Sequence, residues 1–469
     1  MTKNNTSSPN KAEPQYSQLK QLLESYQNKQ FALAEKSALH ITHEFPEHPF
    51  AWKLLGALLN QTGRISEALD ACEKAVLLDP NNAEVHNNLG NTLYKLDRLE
   101  EAESSYRKSI AIEPKNSLTH YNLGQALHKC GKLEQAEVSY KEAIAFKQNY
   151  VEAYNDLGVV LKSLGRLDEA EGAYNIAIKI NQNFKIARLN RGQLFFDKGE
   201  FETALNDFDL CNTAKSRVRA LSALYALGRT EEVLERVKSQ SEEDSENLGV
   251  AAIASFVAEV EKKECPHNFC KNPLDFIHFS NISSHFNDSG SFISELIEEL
   301  NNVNVTWEPF NKSTHKGFQS TANLFESPSG KISLLESIII DELDSYYSRF
   351  ENESCIYIKK WPSKKRLVGW HVILKQHGNQ DAHIHPSGWL SGVIYLQVVP
   401  ALGKSEGAIE FGLNGKHYEH EDLPKLIYQP KLGDIVFFPS SLHHRTISFT
   451  SDKDRIIVAF DLMPKGAEE

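Results

Sequence analysis

Residues 122–148 read NLGQALHKCGKLEQAEVSYKEAIAFKQ, and residues 156–182 read DLGVVLKSLGRLDEAEGAYNIAIKINQ. Laid 34 residues apart, the two segments superpose a Leu-Gly pair, an alanine and a tyrosine. The same interval runs outward in both directions, through Gly56, Gly90, Gly124, Gly158 and Gly192 and through Ala68, Ala102, Ala136, Ala170 and Ala204. Tyr106, Tyr140, Tyr174 and Phe208 keep a third phase, Pro46, Pro80 and Pro114 mark the ends of the earlier units, and Ala34 extends the alanine phase to the first. A fixed period of this length is the mark of a repeat array. Each unit is expected to be a pair of antiparallel helices that cannot bury its apolar face alone and so stacks on its neighbours. Small residues let the two helices approach, the aromatic fills the gap to the next unit, and proline, lacking an N–H, stops the second helix.

This pattern, with Trp52, Leu89-Gly90 and Leu123-Gly124 in the first helices, resembles the tetratricopeptide repeat (TPR) over residues 15–215, about six repeats. Residues 1–14 are expected to be disordered, and 216–264 to form a degenerate helical cap and linker that includes Arg217–Lys238. Such arrays form a concave groove for a protein or peptide. Asn88, Asn122, Asp156 and Asn190 each lie two residues before a repeat glycine, on one face of the solenoid. Two readings stand: a ladder of side chains gripping an extended peptide backbone, or a position that tolerates polar residues.

Composition narrows the function classes. A hydrophobic content of 41% with 24% charged residues is ordinary globular material. The formal charge of −12 leaves no basic surplus for nucleic acid. Cys72, Cys130, Cys211, Cys265, Cys270 and Cys355 are too sparse for a disulfide-stapled scaffold and read as reduced thiols. The N-terminus MTKNNTSSPNKAEP has no apolar core, and the apolar run Gly249–Val260 is too short to span a bilayer. A soluble, cytoplasmic protein is expected, with no membrane partner.

Lys238–Asn247 (KSQSEEDSEN) reads as a solvated linker or loop, and Cys265-Pro266-His267-Asn268-Phe269-Cys270 as a connector, because no second ligand pair completes a zinc site. From there the texture changes. Helical stretches at Phe292–Asn301 and Lys331–Phe350 precede short candidate strands at Cys355–Trp361, Val368–Lys375, Gly392–Val399, Ala408–Gly412, Ile435–Phe438, His444–Phe449 and Arg455–Leu462. Many short strands separated by turn residues predict a mainly β sandwich or barrel.

Two histidine clusters stand out. In Asp381-Ala382-His383-Ile384-His385, residues two apart on a strand face the same way, so His383 and His385 are expected to point into the barrel together. In Leu442-His443-His444-Arg445 one histidine of the pair faces inward, and Arg455 follows on the neighbouring strand. Imidazoles converging in a barrel suit iron(II), and an arginine fork suits a carboxylate. A hydrogen-bonded core, with Arg455 paired to Asp461, is the bland alternative.

The run His383-Ile384-His385-Pro386-Ser387-Gly388-Trp389-Leu390-Ser391-Gly392-Val393-Ile394-Tyr395-Leu396 resembles the core of 2-oxoglutarate/Fe(II) oxygenases fused to TPR arrays. Asn272–Phe276, Gly407–Gly412 and Phe438–Thr446 match it as well, so the resemblance covers about residues 270–464. It implies a double-stranded β-helix (jelly roll) similar to prolyl 4-hydroxylases, with an oxygenase domain over 265–469. It also implies iron(II) at His383, His385 and His444, 2-oxoglutarate held by Arg455 and Tyr395, and dioxygen as co-substrate. One departure matters: the wider superfamily has His-x-Asp where this chain has His385, and Asp381 is the alternative oxygen donor. His443 is expected to face outward or to support a ligand, and Trp370 and Trp389 to pack. The expected function is a hydroxylase whose repeats recruit a protein or peptide. The alternatives are a non-catalytic scaffold with a degenerate barrel and a cupin-like metal protein that does not use 2-oxoglutarate.

Overall fold

The computed structural model describes residues 13–309 and 312–464 and divides into two compact units, one through Leu194 and one from Phe195. The expected order of classes holds: an all-helical solenoid comes first, followed by a C-terminal antiparallel half-barrel of jelly-roll type. Residues 1–12, which carry most of the N-terminal segment expected to be disordered, lie outside the described residues.

The first unit is built from antiparallel helix pairs such as Ser117–Lys129 with Leu133–Phe146 and Val151–Ser163 with Leu167–Ile180. The repeat residues act by steric fit. A Cβ on Gly90, Gly124 or Gly158 would sit 2.5–2.6 Å from the ring of Tyr106, Tyr140 or Tyr174, so glycine is what lets each ring lie flat on the partner helix. The repeat alanines, from Ala34 through Ala170, are fully buried. The turn inside each pair has its own period. Lys29, Gly63, Asp97, Gly131, Gly165 and Gly199, all 34 residues apart, have φ between +57° and +82°. Each closes the first helix with paired bonds such as Gly131 N to His128 O (2.9 Å) and Lys132 N to Leu127 O (2.9 Å), which satisfy carbonyls the helix end would leave bare.

In the second unit the helices Phe201–Cys211, Ala214–Ala226, Thr230–Ser239 and Leu248–Val260 precede the sheet. Beyond Ser239, where the helix ends, Lys238–Asn247 is the expected loop, with one residue that is not solvated. Its Asp244 is 1% exposed and receives Arg217 through Nε (2.8 Å) and Nη2 (2.7 Å), while its carbonyl bonds the buried His267 ring (3.0 Å). An acid in an acidic run is thus drawn inward by an arginine of the helix Ala214–Ala226. Cys265 and Cys270 are buried free thiols that belong to no metal-holding group among the described residues.

Ten strands form the sheet: β1 (His278–Asn281), β2 (Val305–Trp307), β3 (Thr314–Ser320), β4 (Leu367–His383), β5 (Leu390–Gln397), β6 (Ile409–Gly412), β7 (Lys425–Tyr428), β8 (Asp434–Pro439), β9 (His443–Thr446) and β10 (Arg455–Leu462). Their order is β1-β8-β5-β10-β4-β9-β6-β7, with β3 also on β4 and β2 beyond it. The curl comes from β4, whose first half pairs with β10 and whose last residue, His383, pairs with His444 of β9. Cys355–Trp361 is not a strand; it contains the short helix Ile356–Lys359, with the Tyr357 ring buried against Phe269 and Trp389. Its β-branched residues are read by tertiary packing rather than by a ladder.

One sheet face carries Leu390, Ile394, Ile435, Phe437, Val458 and Phe460 and packs on the helices Ser289–Leu300 and Gly330–Phe350. Alternation along β10 sends Arg455, Ile457, Ala459 and Asp461 to the opposite, inner face, across from Ser391, Val393 and Tyr395 of β5. Among the described residues no helix is long and apolar enough to cross a membrane.

Candidate metal and carboxylate site

His383 ends β4, His385 lies two residues beyond it, and His444 sits opposite His383 on β9. One donor atom from each lies within 4.8 Å of the others, the single group of this kind among the described residues. The ring centroids are 4.3 Å (His383–His444), 5.0 Å (His385–His444) and 5.1 Å (His383–His385) apart. The sequence placed His385 on the strand; it is in fact carried by the turn that leaves β4, fixed through its backbone N–H to the Ser440 carbonyl (3.0 Å).

Each imidazole has its Nδ1 engaged. That of His383 meets the Asp381 carbonyl (2.7 Å), that of His385 the Asp461 carboxylate (2.6 Å), and that of His444 the Leu442 carbonyl (3.3 Å). Every partner accepts, so every Nδ1 carries the proton and every Nε2 keeps its lone pair, the tautomer a metal ligand needs. Ser313 Oγ lies 3.4 Å from His383 Nε2. Burial pushes the His383 imidazole down to about 4, helped by the neighbouring His385, and drives His444 well below the ordinary range. At neutral pH both rings are therefore uncharged, and protons do not compete for their lone pairs.

Asp381 does not join this group. Its carboxylate is exposed and pairs with His315 Nε2 at 2.9 Å. Arg455 does not pair with Asp461 either. Arg455 is 1% exposed, its Nε and Nη1 have no hydrogen-bond partner among the described residues, and neither has the hydroxyl of the fully buried Tyr395. The guanidinium carbon lies 5.0 Å from the Tyr395 ring, and burial lowers the Arg455 pKa. A buried arginine with two donors unmet beside an unpartnered phenol has the chemistry to receive a carboxylate.

One tryptophan stands closer to the site than its expected packing role implied, and one tyrosine escaped the sequence reading. Trp370 lies 5.4 Å from His385, so it abuts the site, whereas Trp389 packs structurally with its Nε1 donating to the Tyr357 carbonyl (2.9 Å). Tyr418 is the tyrosine. Its hydroxyl is 3.4 Å from His443 Nε2, and its ring lies 4.6 Å from Phe256 of the helix Leu248–Val260. The Tyr225 hydroxyl donates to the next carbonyl, that of Glu419 (3.2 Å). Burial takes His443 down to about 3. Beside His444 opens a cavity of about 430 Å³ lined by Ala382, Glu410, Asn414, Glu419, His443 and Arg445.

A family model described as "Putative 2OG-Fe(II) oxygenase" matches residues 369–461, a stretch that contains every inner-face residue named above. Models described as "TPR repeat" match 56–97, 90–131 and 124–165, and one described as "Tetratricopeptide repeat" matches 155–210. The chain carries TPR repeats and a C-terminal domain that matches the 2OG-Fe(II) oxygenase model. Solved structures similar to it include MamA, at 29% identity over 34% of this chain and 92% of that one, with a TM-score of 0.32. A tetratricopeptide repeat protein from Parabacteroides merdae has 20% identity over 46% of this chain and 87% of that one, with a TM-score of 0.39. PilF from Pseudomonas aeruginosa has 22% identity over 38% and 84%, with a TM-score of 0.36. No curated protein matches the chain.

On the solenoid, the four polar positions are half-buried, and Asn122, Asp156 and Asn190 are knit to adjoining repeats. Asn122 Nδ2 donates to Asn87 Oδ1 and Asn91 Oδ1 (both 3.0 Å), and Asn190 Nδ2 to Asn155 Oδ1 (2.9 Å). Asp156 accepts from the Tyr121 hydroxyl (2.8 Å) and from Asn155 Nδ2 (2.9 Å), and burial raises its pKa. Asn88 lies in the same row, on the helix Ala83–Lys95.

Proposed function

We propose that the C-terminal domain is an iron(II)- and 2-oxoglutarate-dependent dioxygenase, a hydroxylase, and that the TPR groove recruits the protein or peptide on which it acts. The observation that carries this reading is the pairing of two incomplete sites on one inner sheet face. Three imidazoles have their Nδ1 atoms engaged and their donor atoms gathered within 4.8 Å, while a buried arginine leaves its Nε and Nη1, and a buried tyrosine its hydroxyl, without a hydrogen-bond partner. A three-histidine group alone would also suit zinc. The unpartnered Arg455 and Tyr395 favour a carboxylate co-substrate in addition to a metal.

In this reading His383, His385 and His444 hold the ion, and Arg455 with Tyr395 holds the distal carboxylate of 2-oxoglutarate. Iron(II) with this co-substrate and dioxygen supplies oxidation of a C–H bond, with release of succinate and carbon dioxide. The chain's own part is positional. Arg455 donates a planar fork to the carboxylate, Tyr395 adds a hydroxyl donor, and the apolar inner residues Ile457, Val393 and Ala459 exclude water around them. The cavity beside His444 is the place for the substrate. Residues 15–215 serve recruitment, 216–264 cap the array, and 265–469 carry the chemistry. Along the groove, Asn122 and Asn190 spend their amide hydrogens on adjoining repeats and present Oδ1 acceptors to a peptide backbone, beside Asn88 and Asp156. The net charge of −12 favours a peptide over nucleic acid, and six free thiols suit a cytoplasmic setting.

Anaerobic titration of iron(II) and 2-oxoglutarate into the purified full chain tests the reading. The expected result is a visible metal-to-ligand charge-transfer band in the wild type that is absent from His444→Ala. No band and no retained iron would overturn it and leave a repeat scaffold with a silent barrel.

A further inference from the structure

Of the three imidazoles, His385 alone hands its Nδ1 proton to a carboxylate; His383 and His444 use backbone carbonyls. That carboxylate, Asp461, is built in. It sits on the inner face of β10, its side chain is 12% exposed, and its Oδ1 also accepts from the Ser391 hydroxyl (2.6 Å). Ser391 in turn lies 2.8 Å from Ser440 Oγ and 3.0 Å from His385 Nδ1. Both bonds to Asp461 Oδ1 have the short length of bonds to a charged acceptor. Gly388 clears the space: a Cβ there would stand 2.9 Å from Asp461 Cγ and 2.8 Å from Ser440 Oγ. Asp461 lies outside the metal-holding group, bound to the nitrogen of His385 opposite the one left for a ligand.

Charge gives this arrangement a purpose. Three neutral imidazoles leave the full charge of a divalent ion uncompensated, whereas a His-x-Asp pair would remove one unit. His385 stands where that acid would be. We propose that Asp461 is a positioning residue that returns the missing negative charge to the metal through His385. It holds the ring as an Nε2 ligand and raises its basicity by accepting the Nδ1 proton. The proposal rests on the reading that the triad holds a metal.

Cobalt(II) binding to the full chain, followed by competition titration and by the visible ligand-field spectrum, tests it without any turnover. Asp461→Asn keeps the shape and removes the charge. It is expected to weaken cobalt about 10–100-fold and to alter the spectrum. His385→Asp supplies the carboxylate directly, so adding Asp461→Asn to that background is expected to change affinity by no more than about twofold, the scatter of independent sites. Wild-type affinity in Asp461→Asn, or an equal loss in both backgrounds, would overturn the proposal while leaving the triad reading intact. No cobalt bound by the wild type would overturn the triad reading and this proposal together.

Discussion

Replacing Arg455 with methionine removes a charge from a position that is 1% exposed while keeping most of its volume. The side chain now buries Nε and Nη1 without partners, and each unsatisfied buried donor costs about 1–3 kcal/mol. Against that stands the contact with the Tyr395 ring, worth about 0.5–2 kcal/mol. The difference predicts that ligand-free Arg455→Met is at least as stable as the wild type, by up to about 5 kcal/mol. A residue retained at such a cost has a use for its charge. Under the proposed function, 2-oxoglutarate at a hundred times its Kd should stabilise the wild type by about 2.7 kcal/mol and leave the variant unmoved, which narrows or reverses the difference. Urea unfolding followed by tryptophan fluorescence suits the experiment, since Trp307, Trp361, Trp370 and Trp389 all report on the C-terminal region and Trp52 alone on the solenoid. The titration is run without oxygen, with and without 2-oxoglutarate and a redox-inert divalent metal. A ligand-free variant less stable than the wild type would refute the reasoning, because the guanidinium would then be a structural tie.

Gly124→Ala places a methyl 2.6 Å from the Tyr140 ring and should cost about 1–3 kcal/mol, while Gly172→Ala, with nothing within 4 Å on the helix Leu167–Ile180, should gain up to about 1 kcal/mol. Equal urea midpoints for the two variants would show that the glycine–tyrosine fit is not what sets repeat stability. His371 is buried with neither ring nitrogen partnered, and burial holds it at about 4. Its folded pKa is depressed, so its contribution is complete above the unfolded value of about 6.5, falls between there and about 4, and is level below. His371→Leu should therefore raise stability at neutral pH by about 1–3 kcal/mol and flatten the decline between pH 6.5 and 4, and an unchanged slope in urea titrations across that window would count against it.

Much of the solenoid is legible because sterics tie residue type to position. A ring lying on a helix demands glycine, so Gly90, Gly124 and Gly158 announce the fold. Lys29 and Asp97 take the same left-handed turn as the glycines in their phase without carrying its usual residue, and periodicity in composition misses them. In the barrel, strands with an apolar inner face were readable, whereas β3, THKGFQS, is polar and is ordered by pairing with β4. The run IYIK has strand-forming residues yet folds as a turn of helix, because the burial of Tyr357 decides it. The histidines stood out through short spacing on one strand end. Asp461 did not, for it lies 76 residues from His385 and reaches it only because β10 runs between β4 and β5. Asp244 was hidden for the same reason, its arginine lying 27 residues earlier.

Tyr418 has a consequence for how such a chain can be assembled from parts. The loop that closes the cavity rests on Phe256 and Tyr225, and Phe196 meets His417 beside it (5.3 Å). These supports come from helices that lie before the whole sheet in the chain, far from the loop they hold. The C-terminal region is therefore not a cassette that begins where its sheet begins. A transplant onto another repeat array, or a recombination event that trades one array for another, must carry the stretch from Phe195 onward or leave the rim of the cavity without its footing.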